Sequence, residues 1–548
     1  MSHEQRMLSI LDSMTDRELR CQDPSGRYLL TDFHTDTRQM GFTLAHQLIA
    51  LIHPLSRHSG SSALAEAIRR GLRWLRENRK PDGCFDLSAC NFDSAPDTAF
   101  TANALYDAWF LLDQSASPYR EEFLPSLAEL IERACEGICA GGFHTPNHRW
   151  AIAACLKQGA LVTGRSEFSR RADDYLGEGL DIDDEGEFAE RSAGIYNAVN
   201  DDQMLRLILT TGDRQYLQAA RGNLTLMLRY LEPDGTLFTL NSTRQDRGHK
   251  VYPSSYYGLY LLAGWLSRDP ELASWSQIIW EACEGGGQLP MCLPMLMRFP
   301  ELESYGKQVC PRLELLHRYD KIWPASGIGR WRRGNLTVTA MTGSPRFLAL
   351  QSGSASCLIS IYSNVCDKRH FQPEQIEQTE QGFTLRCRFP SWYYLPFEGD
   401  RPATSDWWAM DNPSSRRRQI RETLEITLSA AILEDGLDLQ LKTEGMDNVP
   451  LRMELAFTPG LLRGEQFLTE ADAGRALTLL GGAAEMSYAS GECFRLENGF
   501  AEHNNQRRMT QALPQDPDRF TLYLTCYTPG EKSLSIRTVS RFPLSLQG

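Results

Sequence analysis

The spacing of hydrophobic residues changes once along this chain of 548 residues, and that change constrains the fold more than any other feature. From about residue 40 to residue 300, apolar residues recur at i, i+3, i+4 and i+7, as in SALAEAIRRGLRWLREN and TAFTANALYDAWFLLD. This spacing places apolar side chains on one face of a helix. Short segments such as RKPDG and EPDG separate the helical segments and predict antiparallel helical hairpins.

After the proline-rich segment QLPMCLPMLMRFPELESY, apolar and polar residues alternate, as in GNLTVTAMTG, LDLQLKTEG and RFTLYLTCYTPG. Alternation with turn residues at regular spacing is typical of antiparallel β-sandwiches. The sequence therefore predicts an α+β multidomain protein. An N-terminal α/α toroid, complete or incomplete, occupies residues 1–320, and a C-terminal antiparallel β-sandwich occupies residues 321–548.

Charge and composition exclude several classes of partner. The formal net charge of -13 disfavours nucleic acid, because phosphate binding requires a basic surface. No segment reaches the roughly 18 apolar residues of a membrane span, and MSHEQRMLSILDSMTDRELR lacks the apolar run of a signal peptide. The cysteines are scattered without metal-site spacing. We expect a cytoplasmic protein with no membrane partner, metal or cofactor; an oligomer remains possible.

Three consecutive polar residues, Asn147, His148 and Arg149, precede an apolar helical run in GGFHTPNHRWAIAACL. A helix start needs only one capping side chain, which Thr145 or Asn147 can supply, and Pro146 suits the first turn. A cap followed by a solvated arginine is the structural interpretation. Three such side chains beside a Gly-Gly pair favour a functional site instead.

A second candidate segment is ERSAGIYNAVNDDQ, in which Tyr196 and Asn200 are four residues apart and share one helix face. Ile195 and Val199 are predicted to take the buried side. A tyrosine among small and amide residues indicates function, although a core tyrosine with a bonded hydroxyl is the alternative. Arg191 lies just before this helix.

The loop NSTRQDRGHKVYPSSYYGLY is the most basic and aromatic segment of the helical half. Guanidinium groups pair with carboxylates, and aromatic rings stack on sugars, so the loop can hold a sugar acid. An exposed loop without function is the alternative. The candidates are Arg244, Arg247, His249, Tyr252 and Tyr256.

Two further residues complete the set of candidates. Asp97 precedes an apolar helix, where it serves either as a helix-terminal carboxylate or as an acid at the cleft floor. His370 follows a strand in the β half, beside Lys368 and Arg369. A solvated basic turn is the alternative there.

A predicted toroid and sandwich, with Asn-His opening one helix and a tyrosine some fifty residues later, resembles the heparinase II/III-like and oligoalginate-lyase-like polysaccharide lyases. The resemblance implies that the toroid of residues 1–320 is the catalytic domain, that Asn147, His148, Tyr196 and His370 are catalytic, and that the substrate is a uronic-acid-containing oligosaccharide. The candidate substrate-binding residues are Arg149, Arg191, Asn200, Arg244, Arg247, His249, Tyr252, Tyr256 and Asp97.

The implied reaction is β-elimination, which removes the C5 proton α to the uronate carboxylate and expels O4. Asn147, helped by an arginine, would neutralise the carboxylate. Tyr196 or His148 would take the proton, and Tyr196 would return one to O4. A tyrosine with its ordinary pKa of about 10 needs a neighbouring cation, for which Arg149 and Arg191 are candidates.

Three other functions remain open at this point. A glycoside hydrolase of the toroid type needs two carboxylates about 5–10 Å apart, and the available ones are Asp93, Asp97, Glu190 and Asp201. A uronate C5-epimerase would use the same proton abstraction and return the proton to the other face. A non-catalytic sugar-binding protein is the third alternative.

Overall fold

The chain folds into two compact units, one helical and one built of strands. The computed structural model describes residues 2–29, 36–284, 292–365, 370–398, 404–409, 416–464, 466–469, 476–503, 509 and 512–540. The first unit comprises Met1–Leu231 and Gly235–Arg312, and the second comprises Glu232–Asp234 and Leu313–Gly548.

The α-helices carry almost all the regular structure of the first unit. Their bounds are α1 His3–Cys21, α2 Thr37–Ile52, α3 Ser62–Asn78, α4 Ala95–Asp113, α5 Arg120–Ala140, α6 Pro146–Thr163, α7 Ser166–Leu176, α8 Tyr196–Thr211, α9 Arg214–Tyr230, α10 Tyr257–Ser267, α11 Pro270–Glu284, α12 Leu293–Arg298, α13 Leu302–Gly306 and α14 Glu314–His317, the last belonging to the second unit. A short hairpin, β1 Phe85–Leu87 and β2 Asn91–Ser94, precedes α4.

Consecutive helices pack as antiparallel hairpins, with α2 against α3, α4 against α5, α6 against α7, α8 against α9 and α10 against α11. The even-numbered helices also pack against one another in order and form an inner layer. Helix α6 illustrates the difference, because Trp150 to Leu156 are all buried, whereas α7 buries only Phe168, Ala172 and Tyr175. A helix buried on all sides belongs inside, and a one-sided helix belongs outside.

The second unit is a two-sheet sandwich. Its strands are β3 Arg318–Trp323, β4 Ile328–Arg333, β5 Leu336–Met341, β6 Leu348–Ser352, β7 Ala355–Ser363, β8 Ile376–Gln378, β9 Gly382–Tyr394, β10 Arg418–Leu433, β11 Gly436–Glu444, β12 Pro450–Phe457, β13 Leu461–Gly464, β14 Phe467–Thr469, β15 Ala476–Leu479, β16 Gly481–Ser487, β17 Glu492–Phe500, β18 Phe520–Tyr527 and β19 Gly530–Ser540. One sheet has the order β13-β16-β17-β19-β11-β10-β9-β8, and the other has the order β14-β15-β18-β12-β7-β6-β5-β4-β3.

Apolar side chains from both sheets form one core. Trp331 of β4 stacks on Phe383 of β9 with ring centroids 4.5 Å apart, and Phe457 of β12 meets Phe494 of β17 at 5.6 Å. Among the strands that the structure describes, neighbours pair antiparallel except β15 and β18, which run parallel. Toroid followed by sandwich confirms the predicted fold class. Within the part of the chain that is described, no helix is long and apolar enough to cross a membrane.

Candidate active site

The candidate site lies where the N-terminal ends of the inner helices α2, α4, α6 and α8 meet. Alternate helices in a series of antiparallel hairpins run in the same direction, so their starts gather at one end of the layer. Arg38 at the start of α2 pairs with Asp97 at the start of α4, with 3.1 Å between Nε and Oδ1. The ring of His148, at the start of α6, meets the ring of Phe100 of α4, with centroids 6.2 Å apart.

Asn147 is fully buried and bonded to Glu190. Its Nδ2 donates to both carboxylate oxygens of Glu190 at 2.9 Å and to Oγ1 of Thr145 at 3.1 Å. Its backbone N–H donates to Glu190 at 3.2 Å. The predicted clamp on a substrate carboxylate is therefore corrected, because this amide already holds a carboxylate of the protein.

The start of α6 also differs from the predicted cap. Thr145 occupies the capping position but makes no side-chain capping bond. The carboxylate of Glu190 instead accepts the backbone N–H of Asn147. Helix N-termini carry unpaired N–H groups and a partial positive charge, so an acidic side chain is favourable there.

Arg244 links this buried carboxylate to Tyr196. Its Nε lies 3.4 Å from Oε1 of Glu190, and its guanidinium carbon lies 5.0 Å from the centre of the Tyr196 ring. The Tyr196 hydroxyl accepts a hydrogen bond of 2.7 Å from Nε2 of Gln245. Tyr196 is half-buried at the first position of α8, and its ring lies beside the positive charge that a proton-accepting tyrosine needs.

His148 is the second proton-handling candidate, and it is neutral at pH 7. Burial lowers its pKa to about 4, with smaller contributions in the same direction from His144 and Arg244, while Asp97 opposes the shift. The His144 ring packs edge-on against it at 4.7 Å. The charges of Asp97 and Arg244 thus both act on this ring, and Arg244 is also the residue beside the Tyr196 ring.

Arg149 does not belong to this cluster. Its guanidinium pairs with Glu178 at 2.7 Å and with Asp181, and it lies 4.4 Å from the centre of the Trp150 ring. Successive residues of a helix project about 100° apart, so the side chain of Arg149 points away from the side of the helix that carries His148. The predicted cations were Arg149 and Arg191, whereas the guanidinium beside the Tyr196 ring belongs to Arg244.

The helix face predicted for α8 is wrong. Asn200 is fully buried, and neither its Oδ1 nor its Nδ2 has a hydrogen-bond partner among the described residues. Ile195, predicted to be buried, is 37% exposed, and Val199 is only partly buried. Tyr196 is the first residue of the helix and is half-buried, and one turn later the same face enters the core. Asn200 as a substrate contact is therefore corrected.

The aromatic residues of the basic loop separate into two groups. Tyr256 is 1% exposed and donates its hydroxyl to the Ala193 carbonyl at 2.6 Å, so its predicted substrate contact is corrected to a structural one. Tyr252 is half-buried and lies 5.7 Å from the Lys250 ammonium. Arg247 and His249 are exposed on the loop. Arg191, which lies outside this loop and just before α8, has a left-handed backbone with φ of 49°, and its charge acts to lower the pKa of Glu187, which burial raises.

The remaining carboxylates are held by protein groups or enclosed in the core. Asp97 is 6% exposed and accepts hydrogen bonds from Ser94 at 2.6 Å and Asn91 at 2.9 Å. Asp93 pairs with Lys80 at 3.1 Å. Asp201 is fully buried, and burial raises its pKa well above the ordinary value.

His370 belongs to the second unit. It forms an isolated bridge with Tyr362, and their rings meet edge-on at 5.6 Å. Burial lowers its pKa. Lys368 and Arg369 lie outside the described residues. The catalytic role of His370 stays a prediction.

Sequence reasoning missed Gln245, His144 and Asp246, and it considered Glu190 only as a carboxylate for hydrolysis. Asp246 offered one signal, since it is the only acidic residue in NSTRQDRGHK. The pairing of Glu190 with Asn147 spans 43 residues and has no signature in local spacing.

The low pKa of His148 predicts how stability depends on pH. Between pH 6.5 and about 4, the unfolded chain protonates this histidine and the folded chain does not. Acidification in this range therefore favours unfolding. We expect His148→Gln to lose less stability than the wild type between pH 7 and pH 5. Urea unfolding at pH 7 and pH 5 measures the loss in each protein. Equal losses of unfolding free energy in the wild type and the variant would contradict a neutral His148 in the folded chain.

Comparison with solved structures agrees with this architecture. A chondroitin AC lyase from Streptomyces coelicolor A3, in complex with chondroitin sulphate, superposes with a TM-score of 0.54 at 12% identity, covering 98% of this chain and 80% of that one. A Paenibacillus xanthan lyase superposes with a TM-score of 0.57 at 11% identity, and the match covers 98% of this chain and 57% of that one. A heparan sulfate lyase mutant from Pedobacter heparinus superposes with a TM-score of 0.50 at 11% identity, and the match covers 97% of this chain and 83% of that one.

The chain has the fold of the polysaccharide lyases. No protein-family model matches its sequence, and no curated protein matches it. At these identities the likeness establishes the arrangement of helices and strands alone. The chemistry has to be argued from the side chains of this chain.

Proposed function

We propose that this protein is a lyase that cleaves uronic-acid-containing oligosaccharides or polysaccharides by β-elimination. One observation carries the proposal. The half-buried Tyr196 presents a hydroxyl held by Gln245 at 2.7 Å, with the Arg244 guanidinium 5.0 Å from its ring centre. A tyrosine beside a fixed cation suits the removal of a weakly acidic carbon-bound proton.

The proposed reaction divides the work among three residues. Tyr196 as phenolate takes the C5 proton and, as phenol, gives a proton to the departing O4. The Arg244 guanidinium stabilises the phenolate and the charge that develops on the substrate carboxylate. His148, neutral because its pKa is about 4, supplies a hydrogen bond or accepts a proton at pH 7. The product is a 4,5-unsaturated uronate and a new reducing end.

Asn147 and Glu190 contribute indirectly, by positioning Arg244. Glu190 is 4% exposed and receives the amide of Asn147 on one side and the Arg244 guanidinium on the other. This arrangement holds Arg244 in place. The family resemblance made Asn147 a substrate ligand, whereas its contacts support a positioning role.

The contacts of the candidate carboxylates favour elimination over hydrolysis. A hydrolase needs one carboxylic acid to protonate the leaving oxygen and a second carboxylate to activate water or attack. Asp97, Glu190 and Asp93 are each paired with a cation, and Asp201 is fully buried. Epimerisation shares the first proton transfer and differs only in the fate of the intermediate.

The test is ultraviolet absorbance at the wavelength of an unsaturated uronate while the protein is incubated with a panel of uronate oligosaccharides. We expect absorbance to rise, because only elimination forms the conjugated product. New reducing ends without absorbance would replace the proposal with hydrolysis. Exchange of the C5 proton with solvent deuterium, without chain cleavage, would replace it with epimerisation.

A further inference from the structure

We infer that Asp246, which is 1% exposed, is a positioning residue that joins the segment carrying Arg244 to the turn carrying Tyr196. The inference rests on the proposed function of this site. Asp246 reaches both residues through a pair of serine hydroxyls, neither of which has a role in the proposed chemistry.

The first connection runs to Tyr196. Oδ1 of Asp246 accepts a hydrogen bond of 2.8 Å from the Ser192 hydroxyl. The same hydroxyl accepts the backbone N–H of Tyr196 at 3.1 Å. Ser192 is fully buried, so water does not compete for these bonds. The start of α8 is thereby tied to the carboxylate.

The second connection repeats this pattern on the loop. The same Oδ1 accepts a hydrogen bond of 2.5 Å from the Ser242 hydroxyl, which accepts the backbone N–H of Arg244 at 3.1 Å. One oxygen atom thus sets the positions of the two residues whose side chains meet at 5.0 Å.

The other carboxylate oxygen fixes the turn before Tyr196. Oδ2 accepts the backbone N–H of Gly194 at 2.9 Å. A Cβ added at Gly194 would lie 2.9 Å from this oxygen and 3.0 Å from a methyl group of Val251, so the approach requires glycine. Asp246 therefore uses both oxygens, and the NH2 group of an isosteric amide would face either the Gly194 N–H or the two serine hydroxyls.

The test measures Asp246→Asn in the full-length protein, alone and combined with Arg244→Ala. We expect kcat to fall about 10- to 100-fold with little change in KM, because the reacting groups are misplaced while the substrate still binds. In the Arg244→Ala background the same substitution should lower kcat by a smaller factor than in the wild type, since the part of the loss that comes from misplacing Arg244 relative to Tyr196 is already absent. Multiplicative losses in the double variant would overturn the inference.

A readout without catalysis separates this inference from the proposed function. Fluorotyrosine placed at position 196 gives a 19F signal that reports the charge beside the ring. We expect Asp246→Asn to move this signal in the same direction as Arg244→Ala. If the 19F signal shifts but this protein cleaves no uronate glycan, the positioning role is supported and the lyase proposal is rejected. An unmoved signal would overturn the positioning role, whatever the activity.

Two sets of variants control for general destabilisation. Asp12 of α1 is likewise buried and accepts hydrogen bonds from the Ser56 hydroxyl at 2.6 Å and the Arg57 N–H at 3.1 Å. Asp12→Asn should leave kcat and the 19F signal unchanged. If Asp246→Asn fails to fold, Ser242→Ala and Ser192→Ala each break one connection and should each move the signal. Failure of both to do so would overturn the inference.

Discussion

Tyr196→Phe should lower kcat for elimination by about 100- to 10,000-fold, the range that general acid–base catalysis supplies. The substitution removes only the hydroxyl, which accepts the Gln245 hydrogen bond of 2.7 Å. The ring and its contact with Arg244 at 5.0 Å remain, so KM should change little. Initial rates of absorbance change, measured across substrate concentrations, give both constants.

Tyr260→Phe is the matched control. Its hydroxyl donates to the Leu224 carbonyl at 2.7 Å inside the core, so its loss leaves a buried acceptor unpaired and should cost about 1–3 kcal/mol of unfolding free energy. Catalysis should persist in this variant at temperatures where it is folded. Full activity in Tyr196→Phe, or its loss only in Tyr260→Phe, would contradict the assignment of the proton-transferring tyrosine.

Arg244→Ala should lower kcat by about 100- to 1,000-fold, a loss comparable to that of removing one electrostatic contact to a developing charge. The guanidinium lies between the Tyr196 ring and the Glu190 carboxylate. Its removal withdraws the cation from the phenolate and from the substrate carboxylate. Arg244→Lys keeps the charge but lacks the planar group that stacks on a ring, so it should restore only part of the rate.

The same variant should lose stability for a separate reason, which a second substitution tests. Glu190 is 4% exposed and would lose its ion pair, at a cost of about 1–3 kcal/mol. Adding Glu190→Gln should recover stability, measured by urea unfolding, without recovering kcat. Recovery of both together would show that Arg244 serves the fold alone.

The candidate site could be predicted from the sequence in its residues but only partly in its contacts. The sequence singled out His148 because three polar residues at a helix start are unusual, Tyr196 because it stands among small and amide residues, and Arg244 because its loop is basic. The partner of Asn147 was missed, since Glu190 is 43 residues away. Asn200 and Tyr256 were misjudged because polarity alone does not distinguish a buried amide or phenol from an exposed one.

The fold followed from the sequence because periodicity is a local property. Residues three and four apart share a helix face, and residues two apart share a strand face, whatever the rest of the chain does. The change of period in this chain therefore determined a helical unit followed by a sandwich. The same local rule failed at the start of α8, where Ile195, the residue just before the helix, is exposed and Asn200 is buried.

Only the tertiary structure decided which charges meet. It brought the Arg244 guanidinium over the Tyr196 ring. It paired Arg149 with Glu178 and Asp181, and it placed Asp246 between two serine hydroxyls. Hydrogen bonds and ion pairs act over a few ångströms, so they depend on how separate helices and loops pack. The sequence by itself determined the elements and the chemical groups available, and packing determined which of those groups became neighbours.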